Sequence, residues 1–114
     1  MPLFLTQVSY TQQAWQSLVE NPQNRFEVVR AVVEKLGGKV VNGWAAFGDY
    51  DIILVSEMPD QVTAGAFAIA IAAGGACKNV KTTPLLSIAE IQEALKKAGG
   101  SGYGFSQGAH SATA

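Results

Sequence analysis

The stretch Trp44-Ala45-Ala46-Phe47-Gly48-Asp49-Tyr50-Asp51-Ile52-Ile53-Leu54-Val55-Ser56-Glu57 decides the architecture, because two apolar runs fold back on each other at Gly48-Asp49. A two-residue Gly-Asp loop between β-prone runs is the connection of a tight hairpin, since both residues tolerate left-handed backbone angles. In that register Phe47 faces Tyr50, Ala46 faces Asp51, Ala45 faces Ile52 and Trp44 faces Ile53. Extended along residues 39–47 and 50–57, the period-two alternation of strands places Val41, Gly43, Ala45, Phe47, Tyr50, Ile52 and Leu54 on one face. Val40, Asn42, Trp44, Ala46, Asp51, Ile53, Val55 and Glu57 take the other. The small residues of the first face accept a closely packed helix. The second mixes amide, indole and carboxylate into apolar surface, as clefts and interfaces do.

What flanks the hairpin reads as its cover. Upstream, residues 3–10 alternate with Phe4, Thr6, Val8 and Tyr10 on one side and Leu3, Leu5 and Gln7 on the other, largely apolar on both, which suits a central strand. Thr11 caps a short helical turn carrying Trp15 and Leu18, and Asn21-Pro22 restarts the helix with a good N-cap and a proline at the first position. Phe26, Val29, Val33 and Leu36 then recur at helical spacing toward a core, and Gly37-Gly38 ends the helix. Downstream, Met58-Pro59-Asp60 breaks the strand and caps a helix over residues 61–73, with a stripe of Val62, Ala66, Ile69, Ala70 and Ala73 beside Phe67 and Ile71. Residues 80–86 read as a fourth strand, assigned to an edge or bulge by Pro84. Ser87-Ile88-Ala89-Glu90 is a capping box opening a last helix with Ile88, Ile91 and Leu95 on its buried side.

The order β-α-β-β-α-β plus a terminal helix is the split βαβ pattern of ferredoxin-like α+β folds, a four-stranded antiparallel sheet with both helices on one face. One domain over residues 1–98 is expected, followed by a flexible Gly/Ser-rich tail over residues 99–114. The bare second face, bearing Trp44, is an association hazard for a lone subunit, so two sheets are expected to pack face to face in a homodimer or larger homo-oligomer.

Composition excludes several function classes. With 114 residues and a formal net charge of -1, the chain lacks the clustered Lys and Arg that nucleic acid or anionic membrane would require. Cys77 is the sole cysteine, which rules out an internal disulfide and a multi-cysteine metal site. The N-terminus has no basic n-region, and the Ala-rich segment after Val62 is too short to span a bilayer, so a cytoplasmic location is expected. His110, the only histidine, falls in the tail, so the core offers no haem ligand, no histidine-based metal site and no Ser-His or Cys-His pair. No cofactor is expected.

The candidates for chemistry therefore lie on the hairpin. Asp51, a carboxylate between two apolar strands, must be paired, hydrogen-bonded or shifted; it either bonds the turn backbone or an arginine, or acts as the base of a reaction. Trp44 with Asn42 forms an aromatic platform and polar hook for a small molecule, or packs a dimer. Tyr50 stacks on a ligand or covers the hairpin end, and Thr82, with Lys81 and Thr83, lines the same cavity or serves only β-propensity. Cys77 reads as a small buried residue, and Tyr103 and Phe105 as tail stickers for a protein partner.

Thr11, Leu18, Pro22 and Arg25, then Gly37-Gly38, Gly48-Asp49-Tyr50-Asp51, Glu57-Met58-Pro59-Asp60 and Val80-Lys81-Thr82-Thr83, make residues 3–95 resemble the GYD-domain family of small bacterial proteins. The resemblance implies the dimeric α/β-barrel superfamily, which includes cofactor-independent monooxygenases, muconolactone isomerases, haem-dependent peroxidases and the amino-acid-sensing domains of feast/famine regulators. It implies no activity and carries over no catalytic residue. The Gly-Ala-rich helix and the long tail depart from the family pattern. The expectation is a non-enzymatic homo-oligomeric module that binds a small molecule or serves assembly, with Trp44, Asn42, Tyr50, Asp51 and Thr82 at its site. The alternative is a cofactor-independent monooxygenase or isomerase with Asp51 as its catalytic group.

Overall fold

The computed structural model describes residues 1–104. Strand β1 (Leu3–Tyr10) is followed by helices α1 (Gln12–Glu20) and α2 (Arg25–Lys35), the hairpin strands β2 (Lys39–Ala45) and β3 (Ile52–Glu57), helix α3 (Gln61–Ala73), strand β4 (Cys77–Leu85) and helix α4 (Ile88–Gly99). The strands form one antiparallel sheet in the order β2-β3-β1-β4, the ferredoxin-like arrangement that the element order predicts. Pro84 lies on β4, an edge strand, where its missing N–H is tolerated. Among the described residues, no helix is long and apolar enough to cross a membrane.

Side-chain alternation sorts the sheet into two faces. On the covered face, cross-strand rows run Val40–Ser56–Phe4–Pro84, Gly43–Leu54–Thr6–Thr82 and Ala45–Ile52–Val8–Val80. Phe4, Val40 and Leu54 of this face pack with Val33 of α2, Met58, and Ala64 and Phe67 of α3 into the core. Gly43 is required there: the Phe26 ring of α2 occupies the place that a Cβ would take.

The hairpin keeps the anticipated pairing at Ala45–Ile52 and Trp44–Ile53 but departs from it at both ends. Between Val40 and Asn42 the register slips, leaving Val41 as an extra residue, so Val40 enters the core on the face expected for its neighbour, and Val41 is exposed. At the tip the ladder stops at Ala45–Ile52, with one further bond from the Ala46 N–H to the Asp51 carbonyl, and the loop is wider than Gly48-Asp49. The reason is competition from β1: the Asp51 N–H donates to the Val8 carbonyl at 2.8 Å, and the Ser9 hydroxyl donates to the Asp49 carbonyl at 2.6 Å. The second arm of the turn thus bonds chiefly to β1, with only the Asp51 carbonyl turned back to the β2 side, and Phe47 is left wholly exposed.

Local signals place most helix ends. The Thr11, Asp60 and Ser87 side chains cap α1, α3 and α4, and Ser87 forms the full capping box with Glu90. Helix α2, however, starts at Arg25 behind an Asn24 cap; Asn21 instead closes α1, its N–H donating to the Ser17 carbonyl, and Pro22 falls between the helices. Helix α3 buries Ala64 and Phe67, whereas Val62 and Ile69 of the expected stripe face outward. Strand β4 begins at Cys77, earlier than expected, because Val8, Ser9 and Tyr10 of β1 extend its ladder to Val80, Asn79 and Cys77. Helix α4 corrects the largest expectation: it has no buried residue, and Ile88, Ile91 and Leu95 stand in solvent.

Candidate functional site

The open sheet face carries the rows Asn42–Val55–Leu5–Thr83 and Trp44–Ile53–Gln7–Lys81. Leu5, Gln7, Ile53 and Val55 sit in central strands yet are only half-buried, while their alternating neighbours Phe4, Thr6, Val8 and Leu54 are buried. The contrast identifies this face as uncovered. Trp44, on edge strand β2, is 51% exposed, and Asn42 beside it accepts the Gly43 N–H at 2.7 Å. Trp44 and Asn42 therefore share a face, as their spacing requires, with Thr83 and Lys81 on the opposite edge strand.

The remaining hairpin candidates lie elsewhere. The Asp51 carboxylate accepts the Tyr10 N–H at 2.9 Å, which ties the hairpin end to the end of β1. Tyr50 is half-buried in the hairpin loop, next to exposed Asp49. Thr82 is not brought to Trp44: its register partner is Thr6, and both point into the helix-covered side, where neither hydroxyl has a hydrogen-bond partner. Of the tail candidates, Tyr103 is exposed, and Phe105 and His110 lie outside the described residues.

A second constellation, spread over three elements, escapes sequence reading. Tyr10 at the end of β1 is buried, stacks edge-on against Trp15 of α1 with ring centroids 5.2 Å apart, and adjoins Cys77 of β4. Arg25 opens α2 beside them, and the three residues line one end of a cavity beneath the helices. Burial raises the Tyr10 phenol above its ordinary pKa, with the nearby Cys77 adding to the rise and Arg25 opposing it. Burial likewise raises the Cys77 thiol, so at neutral pH it is a protonated, weakly nucleophilic group. Leu18 and Arg25 stood out only as points of resemblance; no local pattern in the sequence couples Tyr10, Arg25 and Cys77.

The third surface is apolar and helical. In α4, Ile88 is 77% and Leu95 64% exposed, with Ile91 between them, and Leu86 precedes the helix in solvent. Residues at i, i+3 and i+7 share one side of a helix, so the three form a continuous hydrocarbon stripe.

A protein of Thermus thermophilus named glutamine synthetase and cystathionine beta-lyase binding protein is 29% identical over 96 residues, which are 84% of this chain and all of that one. Among solved structures, FFRP-DM1 aligns over 75% of this chain and all of its own, with a TM-score of 0.48 and 13% identity. An AsnC family transcriptional regulator from Agrobacterium tumefaciens aligns over 75% of this chain and 50% of its own, with a TM-score of 0.45 and 15% identity. The GYD domain model matches residues 4–95, and the chain belongs to the GYD domain family.

Proposed function

We propose that this chain is a protein-binding module that docks on an enzyme through α4 and pairs with a second copy of itself through the open sheet face. The observation that carries the reading is the α4 stripe, three large aliphatic side chains held in water on a well-capped helix with no buried residue. An amphipathic helix that finds no groove in its own domain is suited to a groove in another. The Thermus thermophilus relative, named for binding glutamine synthetase and cystathionine beta-lyase, supports an enzyme as the partner. Trp44 and Asn42 belong to the self-pairing face in this proposal, with any small molecule held between the two sheets. Asp51 serves as a structural clamp, because its carboxylate is already engaged by the Tyr10 N–H.

The test is binding of the purified chain to glutamine synthetase and cystathionine beta-lyase from the same organism, measured by biolayer interferometry, with the Ile88→Glu/Leu95→Glu and Trp44→Glu variants alongside. The expected result is binding to at least one enzyme, lost in the α4 variant, with Trp44→Glu converting the chain to a monomer in light scattering. Failure to bind either enzyme, or undiminished binding by the α4 variant, would refute the assignment of α4.

A further inference from the structure

The cavity beneath the helices has a volume of about 200 Å³ and is lined by no residue of α4. Its wall is mostly hydrocarbon, from Val29 of α2, Leu54 of β3, and Phe67 and Ile71 of α3. Two polar features interrupt it. Arg25, at the end shared with Tyr10 and Cys77, is half-buried and forms no ion pair among the described residues, whose single pair is Glu27 with Arg30. A guanidinium taken partly out of water with the Tyr10 hydroxyl beside it and no carboxylate in ion-pair range keeps donors free that match a carboxylate bidentately. Thr6 is 3% exposed and lines the same cavity, and its Oγ1 has no hydrogen-bond partner. Buried hydroxyls are ordinarily satisfied, so this one points to an absent partner.

We propose that this cavity binds a small monocarboxylate whose carboxylate pairs with Arg25 and whose apolar body, ending in a second oxygen, reaches toward Thr6. Size, charge and polarity agree on that class. An apolar cavity of about 150 Å³ holds benzene, so this one accommodates about eight to ten non-hydrogen atoms. Arg25 is the first residue of α2, so the positive end of the helix dipole adds to its charge, while a cationic ligand would meet repulsion. A phosphate dianion would lose its hydration against a hydrocarbon wall with only one cation to answer it. Tyr10 and Cys77, protonated at neutral pH, are uncharged neighbours that donate to a carboxylate rather than repel it.

Cys77 provides the readout, since it lines the cavity and is the only thiol. The full chain is treated with a small alkylating reagent in the presence of hexanoate, 6-hydroxyhexanoate or hexylamine, and affinities are measured by calorimetry. Both acids are expected to slow alkylation and to bind with dissociation constants below about 1 mM, whereas hexylamine does neither. Arg25→Gln weakens both acids at least tenfold, and Thr6→Val removes the preference for the hydroxylated acid while sparing hexanoate. Amide shifts induced by hexanoate in the unmodified protein fall on Thr6, Val29, Phe67 and Ile71, a check that needs no variant to fold. Equal binding of hexylamine, an unchanged affinity in Arg25→Gln, or shifts confined to the open sheet face would overturn the proposal. So would binding of neither acid.

Discussion

Gly43→Ala is the sharpest test of how the hairpin meets its cover. A Cβ at this position would overlap Cζ and Cε2 of Phe26 and lie 2.8 Å from Cε1, against roughly 3.5–4.0 Å for an ordinary carbon contact. Strand backbone paired to Leu54 cannot retreat without breaking the ladder, so the ring must leave its seat. Burial of a phenylalanine contributes about 1.5–3 kcal/mol, and Phe26 is only partly buried, so its displacement costs about 2 kcal/mol. Against this, alanine in a strand recovers about 0.5–1 kcal/mol of backbone entropy relative to glycine. The steric term wins, and the net loss is about 1–1.5 kcal/mol, a fall in Tm of roughly 4–12 °C for a domain of this size. Thermal melts followed by circular dichroism measure it, with Phe26→Leu and the double variant completing a cycle. Because the smaller side chain makes room for the new methyl group, the double variant is expected to lose less than the sum of the singles, by about 1 kcal/mol. An unchanged Tm in Gly43→Ala, or strict additivity, would refute the close approach of α2 to β2.

Asp51→Ala leaves the Tyr10 N–H without its acceptor and is expected to cost about 1–2 kcal/mol in urea titration, whereas Asp51→Asn, which keeps an acceptor oxygen, loses less than half of that. Ser87→Ala removes the hydroxyl that accepts the Glu90 N–H and should cost about 1 kcal/mol, read as faster amide exchange within α4 alone, since no core residue depends on that helix. Cys77 and Tyr10 both hold their protons to higher pH folded than unfolded, so the unfolded chain ionises first; their contribution is full below the ordinary thiol and phenol ranges and is lost as pH rises through the folded values. Tm is therefore expected to decline from pH 8 upward, and the Cys77→Ala variant should show a shallower decline at the start of that window.

Much of the architecture is local enough to read from the chain. Thr11, Asp60 and Ser87 cap helices by bonds to residues three positions away, and the Trp44–Ile53 pairing follows from strand periodicity. What escapes is set by partners distant in sequence. The Gly48-Asp49 turn widens because Val8 and Ser9, some forty residues upstream, take its backbone groups. Helix α3 is apolar all round, so nothing in its composition indicates that Phe67 rather than Ile69 turns inward. Alternation could pair Thr82 with either sheet face, and only the ladder to Thr6 assigns it to the inner one, away from Trp44. Trp44 and Asn42 were legible as companions because two residues of one strand share a side. Arg25, Tyr10 and Cys77 belong to three elements, and their convergence exists only once the helices have docked.

The supernumerary valine in β2 has a consequence for how such chains can vary in length. Excising Val41 would restore an unbroken pairing of Val40 with Ser56 and Asn42 with Val55, and every inward and outward assignment on either side would survive. Removing Gly43, Trp44 or Ala45 instead would shift every residue between the gap and the bulge by one place and bring the Asn42 side chain to the position facing Phe26. The stretch from Val40 to Asn42 is thus where this strand can lose a codon without exchanging the lining of the interior for the outer surface, at the expense of local coiling.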